Sequence, residues 1–268
     1  MPTSMGLSFE KHGDSGPSIV LLRGWTRCFE HWLGFEKLLS SKGMQVYVID
    51  LPGVGKSSDF PTSWTDSIET FAQSVLSTID TEGIKDPHLV GISLGGMVAL
   101  GCALAHSPKI KSLVLINSSI GGHFGSRIKL TALSQILLAK VGKSPLDFQK
   151  TLAQKLLART APSERIEIVA EKWGVIDERN PVSTRVALIQ LLAASRFAPV
   201  KKARTLRVPT LILSAEEDQF VPSSNSSFLL ETIPGSILRS IPQAGHEATL
   251  DQPDHVAFEI CTFIKGLA

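Results

Sequence analysis

Short runs of apolar and β-branched residues alternate along the chain with segments whose apolar residues recur at helical spacing. The runs are apolar at successive positions, so both faces of a strand formed there would be covered. This alternation favours an α/β fold with a doubly wound, mostly parallel sheet. The predicted strands are 18–22, 45–50, 88–92, 112–117, 210–214 and 236–241. The predicted crossover helices are 32–39, 67–79, 96–105 and 255–264.

The alternation stops between about residue 120 and residue 200, where helix-period segments follow one another without a strand. Helices inserted between two strands have to lie over one end of the sheet, so we expect a helical cap above the site. No linker-like segment divides the chain, which predicts one domain over 1–268, with a core of 1–119 and 201–268 and a cap of about 120–200. The predicted cap helices are 130–141, 150–159, 163–173 and 184–197.

The composition narrows the class of protein. Hydrophobic residues make up 43% of the chain and charged residues 19%, which fits a packed globular enzyme and is too apolar for a disordered chain. No basic segment followed by an apolar run opens the chain, and no run approaches the roughly 18 apolar residues of a membrane span. We therefore expect a cytoplasmic protein without a membrane span, and buried thiols at its three scattered cysteines.

The most specific local pattern is Gly-x-Ser-x-Gly at 91–95, which follows a predicted strand and precedes a helical segment. A serine in this context projects at the head of the helix, and the glycines relieve crowding around a strained turn. The pattern predicts Ser93 as a nucleophile. It also predicts that the backbone N–H of Leu94, reinforced by the helix N-terminus, binds a developing oxyanion.

A serine hydroxyl needs a base, and a carboxylate has to hold that base in the right tautomer. Of the seven histidines, His246 is the one in a loop after a late strand; the others lie near the terminus, on helices, at a strand start or in the cap. Three neighbouring carboxylates follow the strand 210–214 and give the chain order Ser, acid, His. Their position alone leaves the choice open among Glu216, Glu217 and Asp218.

Together these motifs resemble the α/β-hydrolase fold family, in particular its branch of small cytosolic esterases, enol-lactonases and C–C hydrolases. The turn at 50–57 is similar to the family's Asp-x-x-Gly-x-Gly-x-Ser turn, and 91–96 is similar to its nucleophile elbow. The family usually places its acid a few residues before a Val-Pro pair, so the resemblance implies Asp218 as the orienter of His246. It also implies that the cap follows the sixth strand of the sheet.

The segment 23–25 resembles the family's His-Gly-hydrophobe element, and by position it makes the N–H of Trp25 the second oxyanion donor. Arg23 stands where the family usually has histidine. The donor is a backbone group, so catalysis can survive this change, whereas a fixed guanidinium near the site could alter substrate preference. The change also leaves open a receptor that binds a ligand on this fold without turnover.

We predict a serine hydrolase that cleaves a small-molecule carboxylic ester through an acyl-enzyme, with Ser93 as nucleophile, His246 as base and Asp218 as orienter. Lactonase, thioesterase and C–C hydrolase activities share this machinery and remain alternatives. Serine rather than aspartate at the elbow argues against haloalkane dehalogenases and epoxide hydrolases. A base and two N–H donors suffice for the reaction, so no metal and no organic cofactor is implied.

Two further features bear on partners. Asp50 stands where a phosphate-binding loop would need glycine, so the turn 50–57 predicts no nucleotide, and we expect no nucleic-acid partner. Between residues 120 and 204 the chain carries fifteen basic and six acidic residues, a field that can steer an acidic partner. The chain is similar in size and elbow to pimeloyl-carrier-protein methyl ester esterases, which receive an acidic acyl carrier protein on a basic cap. An acidic acyl carrier protein is thus one expected partner, with a solvated helical face as the alternative.

Overall fold

The computed structural model describes residues 6–105, 107–121 and 144–267, which form a seven-stranded sheet in the order β1-β3-β2-β4-β5-β6-β7. Strand β1 is antiparallel to β3, and the other neighbouring pairs are parallel. This confirms the predicted doubly wound, mostly parallel α/β class. The strands are β1 Phe9–His12, β2 Ser18–Leu22, β3 Gln45–Ile49, β4 His88–Ile92, β5 Ser112–Ile116, β6 Thr210–Ala215 and β7 Ile237–Ile241.

Helices cover both faces of the sheet. One apolar layer packs the strands against the helices Ile68–Thr81 and Leu94–Ala105, and a second packs the opposite face against the helices Phe35–Ser41 and Pro253–Lys265. No helix in the described part of the chain is long and apolar enough to cross a membrane. The helices are α1 Phe35–Ser41, α2 Ile68–Thr81, α3 Leu94–Ala105, α4 Pro145–Leu156, α5 Ser163–Arg179, α6 Thr184–Arg196, α7 Val200–Ala203, α8 Ser224–Thr232, α9 Ala248–Asp251 and α10 Pro253–Lys265.

Helices α4 to α7 follow one another between β5 and β6; α4 to α6 lie within the segment predicted as a cap, and α7 begins at its last residue. The predicted helix 130–141 lies outside the described residues. In chain order the described insertion follows the fifth strand, β5, and not the sixth as predicted. Residues 6–17 form one strand ahead of β2, whereas an insertion after the sixth strand would need two strands there. The domain limits themselves stay a prediction.

Strand β1 and helix α8 are elements that the sequence pattern does not predict. Strand β1 reads Phe-Glu-Lys-His and forms an edge of the sheet, so it lacks the apolar run by which the inner strands are recognised. Helix α8 begins with Ser-Asn-Ser-Ser, a composition typical of loops.

The three cysteines are buried and unpaired, as predicted.

The turn after β3 is closed by its own carboxylate. Asp50 Oδ1 accepts the N–H of Phe29 over 2.6 Å, and Asp50 Oδ2 accepts the N–H of Lys56 over 2.9 Å. Gly55 has a φ of 52°, and an added Cβ there would collide with the Asp50 carboxylate and with Cys28. The glycine therefore lets the Asp50 carboxylate approach the turn closely enough to accept these N–H groups.

Gly55→Ala is expected to lower the free energy of unfolding by about 3 kcal/mol or more, because the left-handed backbone alone costs about 1–2 kcal/mol and the collision adds to it. Gly83→Ala is the matched control: its φ is 63°, and an added Cβ would meet no atom within 4 Å. Urea unfolding of both variants measures the difference. Equal losses would contradict the close approach of Asp50 to Gly55.

Candidate functional site

Ser93 lies in a sharp turn between the end of β4 and the start of α3. Its φ is 55°, in the left-handed region that residues other than glycine rarely adopt. A side chain at Gly91 would collide with the backbone of Gly95, and one at Gly95 would collide with the carbonyl groups of Leu22 and Arg23. The glycines thus allow the close approach of strand and helix that holds Ser93 in this strained turn.

Hydrogen bonds to and just beyond β5 fix the backbone of Ser93. Its N–H donates to the carbonyl of Ile116 over 2.9 Å, and the hydroxyl of Ser118 donates to its carbonyl over 2.8 Å. The side chain of Ser93 is half-buried and lines a small, largely apolar cavity together with Met97 and Phe220. The turn therefore presents the hydroxyl to a space where an acyl group could bind.

The loop after β2 passes directly beside Ser93. A Cβ added to Gly24 would lie 3.3 Å from the Cβ of Ser93, and both Trp25 and Leu94 line the same cavity. Among the described residues, neither the N–H of Trp25 nor that of Leu94 finds an acceptor. Two backbone donors are thus available beside the hydroxyl. The indole of Trp25 is held separately, by a 2.8 Å hydrogen bond to the carbonyl of Ala187 in α6.

Asp218 and His246 form a buried pair in the loops after β6 and β7. His246 Nδ1 lies 2.8 Å from Asp218 Oδ2, and the two side chains are 5% and 3% exposed. The other carboxylate oxygen accepts the N–H groups of Phe220 and Val221 over 2.7 and 2.8 Å. Because Nδ1 is bound to the carboxylate, Nε2 is the nitrogen left for proton transfer.

The two neighbouring carboxylates have other partners. Glu216 accepts a hydrogen bond from the hydroxyl of Ser240 over 2.8 Å. Glu217 accepts the N–H and the hydroxyl of Thr160, each over 3.1 Å. Of the three carboxylates that the sequence left open, Asp218 is the one that contacts His246.

The environment favours the charged form of His246. Burial alone would lower its pKa, but the charge of Asp218, its hydrogen bond and the charge of Glu247 together raise the pKa above the ordinary value. The neutral imidazole, which is the form that can accept a proton, therefore predominates only above that raised pKa. A reaction that uses His246 as base should lose rate as the pH falls through it.

Phe220 connects the cavity to His246. Its side chain lines the cavity with Ser93, and its ring packs edge-on against the His246 ring with centroids 5.1 Å apart.

A larger groove of about 630 Å³ lies elsewhere, between Glu30 and Glu171, and contains none of these groups. The described residues also hold no cluster of His, Cys, Asp and Glu side chains that could bind a metal.

Asn117 is a site residue that sequence reasoning missed. Its amide nitrogen donates to the carbonyl groups of Gly245 and His246 over 3.1 and 2.9 Å, and its Oδ1 accepts the N–H of Ala215 over 2.8 Å. The side chain thus ties the end of β5 to the end of β6 and to the loop of the base. The available signal was an asparagine as the last residue of the predicted strand 112–117, where its φ of 44° is tolerated.

Asp251 connects the loop of His246 to the inserted helices. Its Oδ2 accepts the N–H groups of Gly245 and Ala158, each over 2.8 Å, and the N–H of Glu247 donates to the carbonyl of Leu156 at the end of α4. Burial raises the pKa of Asp251 to about 6. The position of the base therefore depends on the packing of α4 as well as on the sheet.

A second serine–histidine contact lies far from this site. His88 Nδ1 is 2.7 Å from the hydroxyl of Ser112, at the amino ends of β4 and β5, whereas Ser93 follows the carboxyl end of β4. Burial lowers the pKa of His88 to about 4. The pair satisfies two buried polar groups between adjacent strands and has no place in the site at Ser93.

Comparisons with known proteins match nearly the whole chain. A model of the α/β hydrolase fold family matches residues 17–253. A pimeloyl-[acyl-carrier protein] methyl ester esterase of Methylococcus capsulatus is 30% identical over 266 residues, which cover 98% of this chain and 100% of that protein. A protein of Azorhizobium caulinodans that is provisionally named carbamate hydrolase RutD is 26% identical, over 92% of this chain and 91% of its own.

Solved structures share the fold. The esterase EaEST from Exiguobacterium antarcticum superimposes with a TM-score of 0.81 at 22% identity, over 97% of this chain and 95% of its own. The enol-lactonase from Burkholderia xenovorans LB400 gives a TM-score of 0.77 at 21% identity, over 97% of this chain and 96% of its own. At these identities the likeness establishes the architecture.

Asp218→Asn is expected to lower the pKa of His246, because it removes the charge that raises this pKa against burial. NMR titration of the imidazole signal, assigned with His246→Ala, measures the change. Glu217→Gln is the matched control, since that carboxylate binds Thr160, and it should leave the titration unaltered. An unchanged His246 pKa in Asp218→Asn would contradict the pairing.

Proposed function

This chain belongs to the α/β hydrolase fold family, and we propose that it is a serine hydrolase that cleaves carboxylic esters through an acyl-enzyme. The observation that carries the proposal is the buried 2.8 Å contact between Asp218 and His246, beside the cavity into which the strained turn presents Ser93. Relatives named as esterases, one of them 30% identical over its full length, support the ester as substrate class.

In the proposed reaction the hydroxyl of Ser93 attacks the ester carbonyl carbon while His246 Nε2 takes the hydroxyl proton. The backbone N–H groups of Trp25 and Leu94 bind the oxyanion, and Asp218 stabilises the imidazolium. The C–O bond then breaks, and His246 returns the proton to the departing alcohol. Water, deprotonated by His246, then attacks the acyl-enzyme; the bond to the Ser93 oxygen breaks, His246 returns the proton to that oxygen, and the acid is released.

The buried position of Arg23 supports turnover rather than a receptor role. The sequence left open that this guanidinium reaches the substrate, but in the structure it pairs with Glu247 and is almost fully buried. The presence of Ser93, His246 and Asp218 in the chain order of the family also favours the enzyme. Lactone, thioester and C–C cleavage use the same groups and stay alternatives within the class, and the cytoplasmic location stays a prediction.

Ser93→Ala is expected to reduce kcat for p-nitrophenyl acetate, butyrate and octanoate by about 10⁴-fold or more, because the acyl-enzyme can no longer form. An organophosphonate probe should add once to the wild type, at Ser93, as read by mass spectrometry. Ser112→Ala, which removes a buried serine bound to His88 far from the site, is the control and should keep wild-type kcat. Absence of both turnover and adduct in the wild type would contradict the proposal.

A finer proposal is that the ester is presented by an acidic acyl carrier protein. Two observations favour it: the name of the 30% identical relative and the excess of basic residues between 120 and 204. Helix α4 carries Lys150 and Lys155, and exposed Arg159 follows it. The end of this helix is hydrogen-bonded to the loop of the base, so a carrier bound there would lie beside the active site.

Charge reversal of Lys150, Lys155 and Arg159 to glutamate should raise KM for a carrier-bound methyl ester at least about tenfold, since steering by several charges is lost. Hydrolysis of a small methyl ester should not change. The matched control reverses exposed Lys201, Lys202 and Arg204, which lie ahead of the amino end of β6. Equal effects of the two triple variants would contradict docking at α4.

A further inference from the structure

The guanidinium of Arg23 is directed at a carboxylate and not at the cavity. Its Nη2 lies 2.9 Å from both carboxylate oxygens of Glu247, and the two side chains are 1% and 5% exposed. In the described part of the chain, Arg23 is not among the residues that line the cavity at Ser93. The residue that departs from the family pattern therefore has a defined partner.

The pair joins the two loops that flank the nucleophile. Arg23 precedes Trp25 by two positions, and Glu247 directly follows His246. We propose that the buried Arg23–Glu247 ion pair is a positioning device that fixes the loop of the base against the loop of the oxyanion donor. The inference rests on the proposed function, because it takes its meaning from the roles given there to Trp25 and His246.

Packed elements hold both ends of the pair. The guanidinium of Arg23 lies over the ring of Trp32, 4.7 Å from its centroid, and Trp32 stacks on Phe35 of α1. At the other end, the N–H of Glu247 donates to the carbonyl of Leu156 over 2.8 Å. Relative movement of the two loops would separate buried opposite charges, which is strongly unfavourable. The pair therefore resists such movement.

The surroundings keep Glu247 ionised. Burial would raise its pKa, but the charges of Arg23, His246 and Arg27, with the hydrogen bond from Arg23, lower it below the ordinary value. A carboxylate one residue from His246 is thus charged under the conditions in which the imidazole acts as base. Pairing with Arg23 compensates that charge at a distance of 2.9 Å.

Several charged groups act on His246, and the pair contributes one of each sign. Asp218 and Glu247 raise the pKa of His246, while Arg23 lowers it. Asp251 borders the same loop through its hydrogen bond from the Gly245 N–H. Removal of either member of the ion pair should therefore shift the imidazole titration, and the two shifts should have opposite sign.

The kinetic experiment compares wild type with Glu247→Gln, Arg23→Met and the double variant. Organophosphonate titration counts the reactive sites, so kcat refers to folded protein. Each single variant should lower kcat about ten- to hundredfold with little change in KM. A misplaced catalytic group stabilises the transition state less, whereas it has little effect on the binding of the substrate. The double variant carries no unpaired charge and should regain thermal stability without regaining kcat.

NMR titration of His246 gives a readout that does not need turnover. The pKa should fall in Glu247→Gln and rise in Arg23→Met. Arg239→Met is the matched control: it removes an exposed arginine that lies 3.9 Å from Glu259, and it should change neither the titration nor kcat. If Arg23→Met does not fold, Arg23→Lys keeps the charge without the contact to both oxygens, and it should lower kcat with little change in the pKa.

Two results would overturn the inference. One is wild-type kcat in the double variant, and the other is wild-type kcat per titrated site together with a wild-type His246 pKa in both single variants. Failure of the proposed function gives a different pattern. The wild type itself would then neither hydrolyse esters nor react with the phosphonate, while the NMR titrations would still report whether the ion pair acts on His246.

Discussion

Strands β2 to β7 run parallel, so their carboxyl ends lie at the same end of the sheet, and each proposed catalytic group follows one of these carboxyl ends. The chain leaves β4 for Ser93, β6 for Asp218 and β7 for His246. The carboxyl ends of parallel strands converge on one crevice, so groups far apart in sequence meet there. Strand pairing sets their separation, and apolar side chains buried on both faces hold the inner strands in place.

Convergence alone does not hold a loop in place, and buried side chains complete the arrangement. Asn117 uses both ends of its amide to bind the end of β6 and the loop after β7, and Asp251 binds the base loop to the start of the segment after α4. Backbone N–H and C=O groups in these loops are buried and need partners. The residues that satisfy them therefore also determine where the acid and the base lie.

Local pattern predicted the inner strands and the position of Ser93, because an apolar run and the glycines of a strained turn are both recognised from residues that are neighbours in the sequence. The choice among Glu216, Glu217 and Asp218 needed the structure or the family resemblance. Asp218 is distinguished by N–H groups that become available only when the loop folds back on itself. The partner of Arg23 is 224 positions away, a contact that no local pattern encodes.

The two buried ion pairs act on the base in opposite ways. Asp218 orients the imidazole and stabilises its charged form, which helps when Ser93 transfers its proton. A base with too high a pKa would already be protonated and could not accept that proton. Without a compensating charge, Glu247 beside His246 would raise the pKa of the imidazole further. With the Arg23 charge placed against both of its oxygens, the influence of Glu247 on the imidazole is opposed, and Asp218 stays the main carboxylate that sets the protonation of His246.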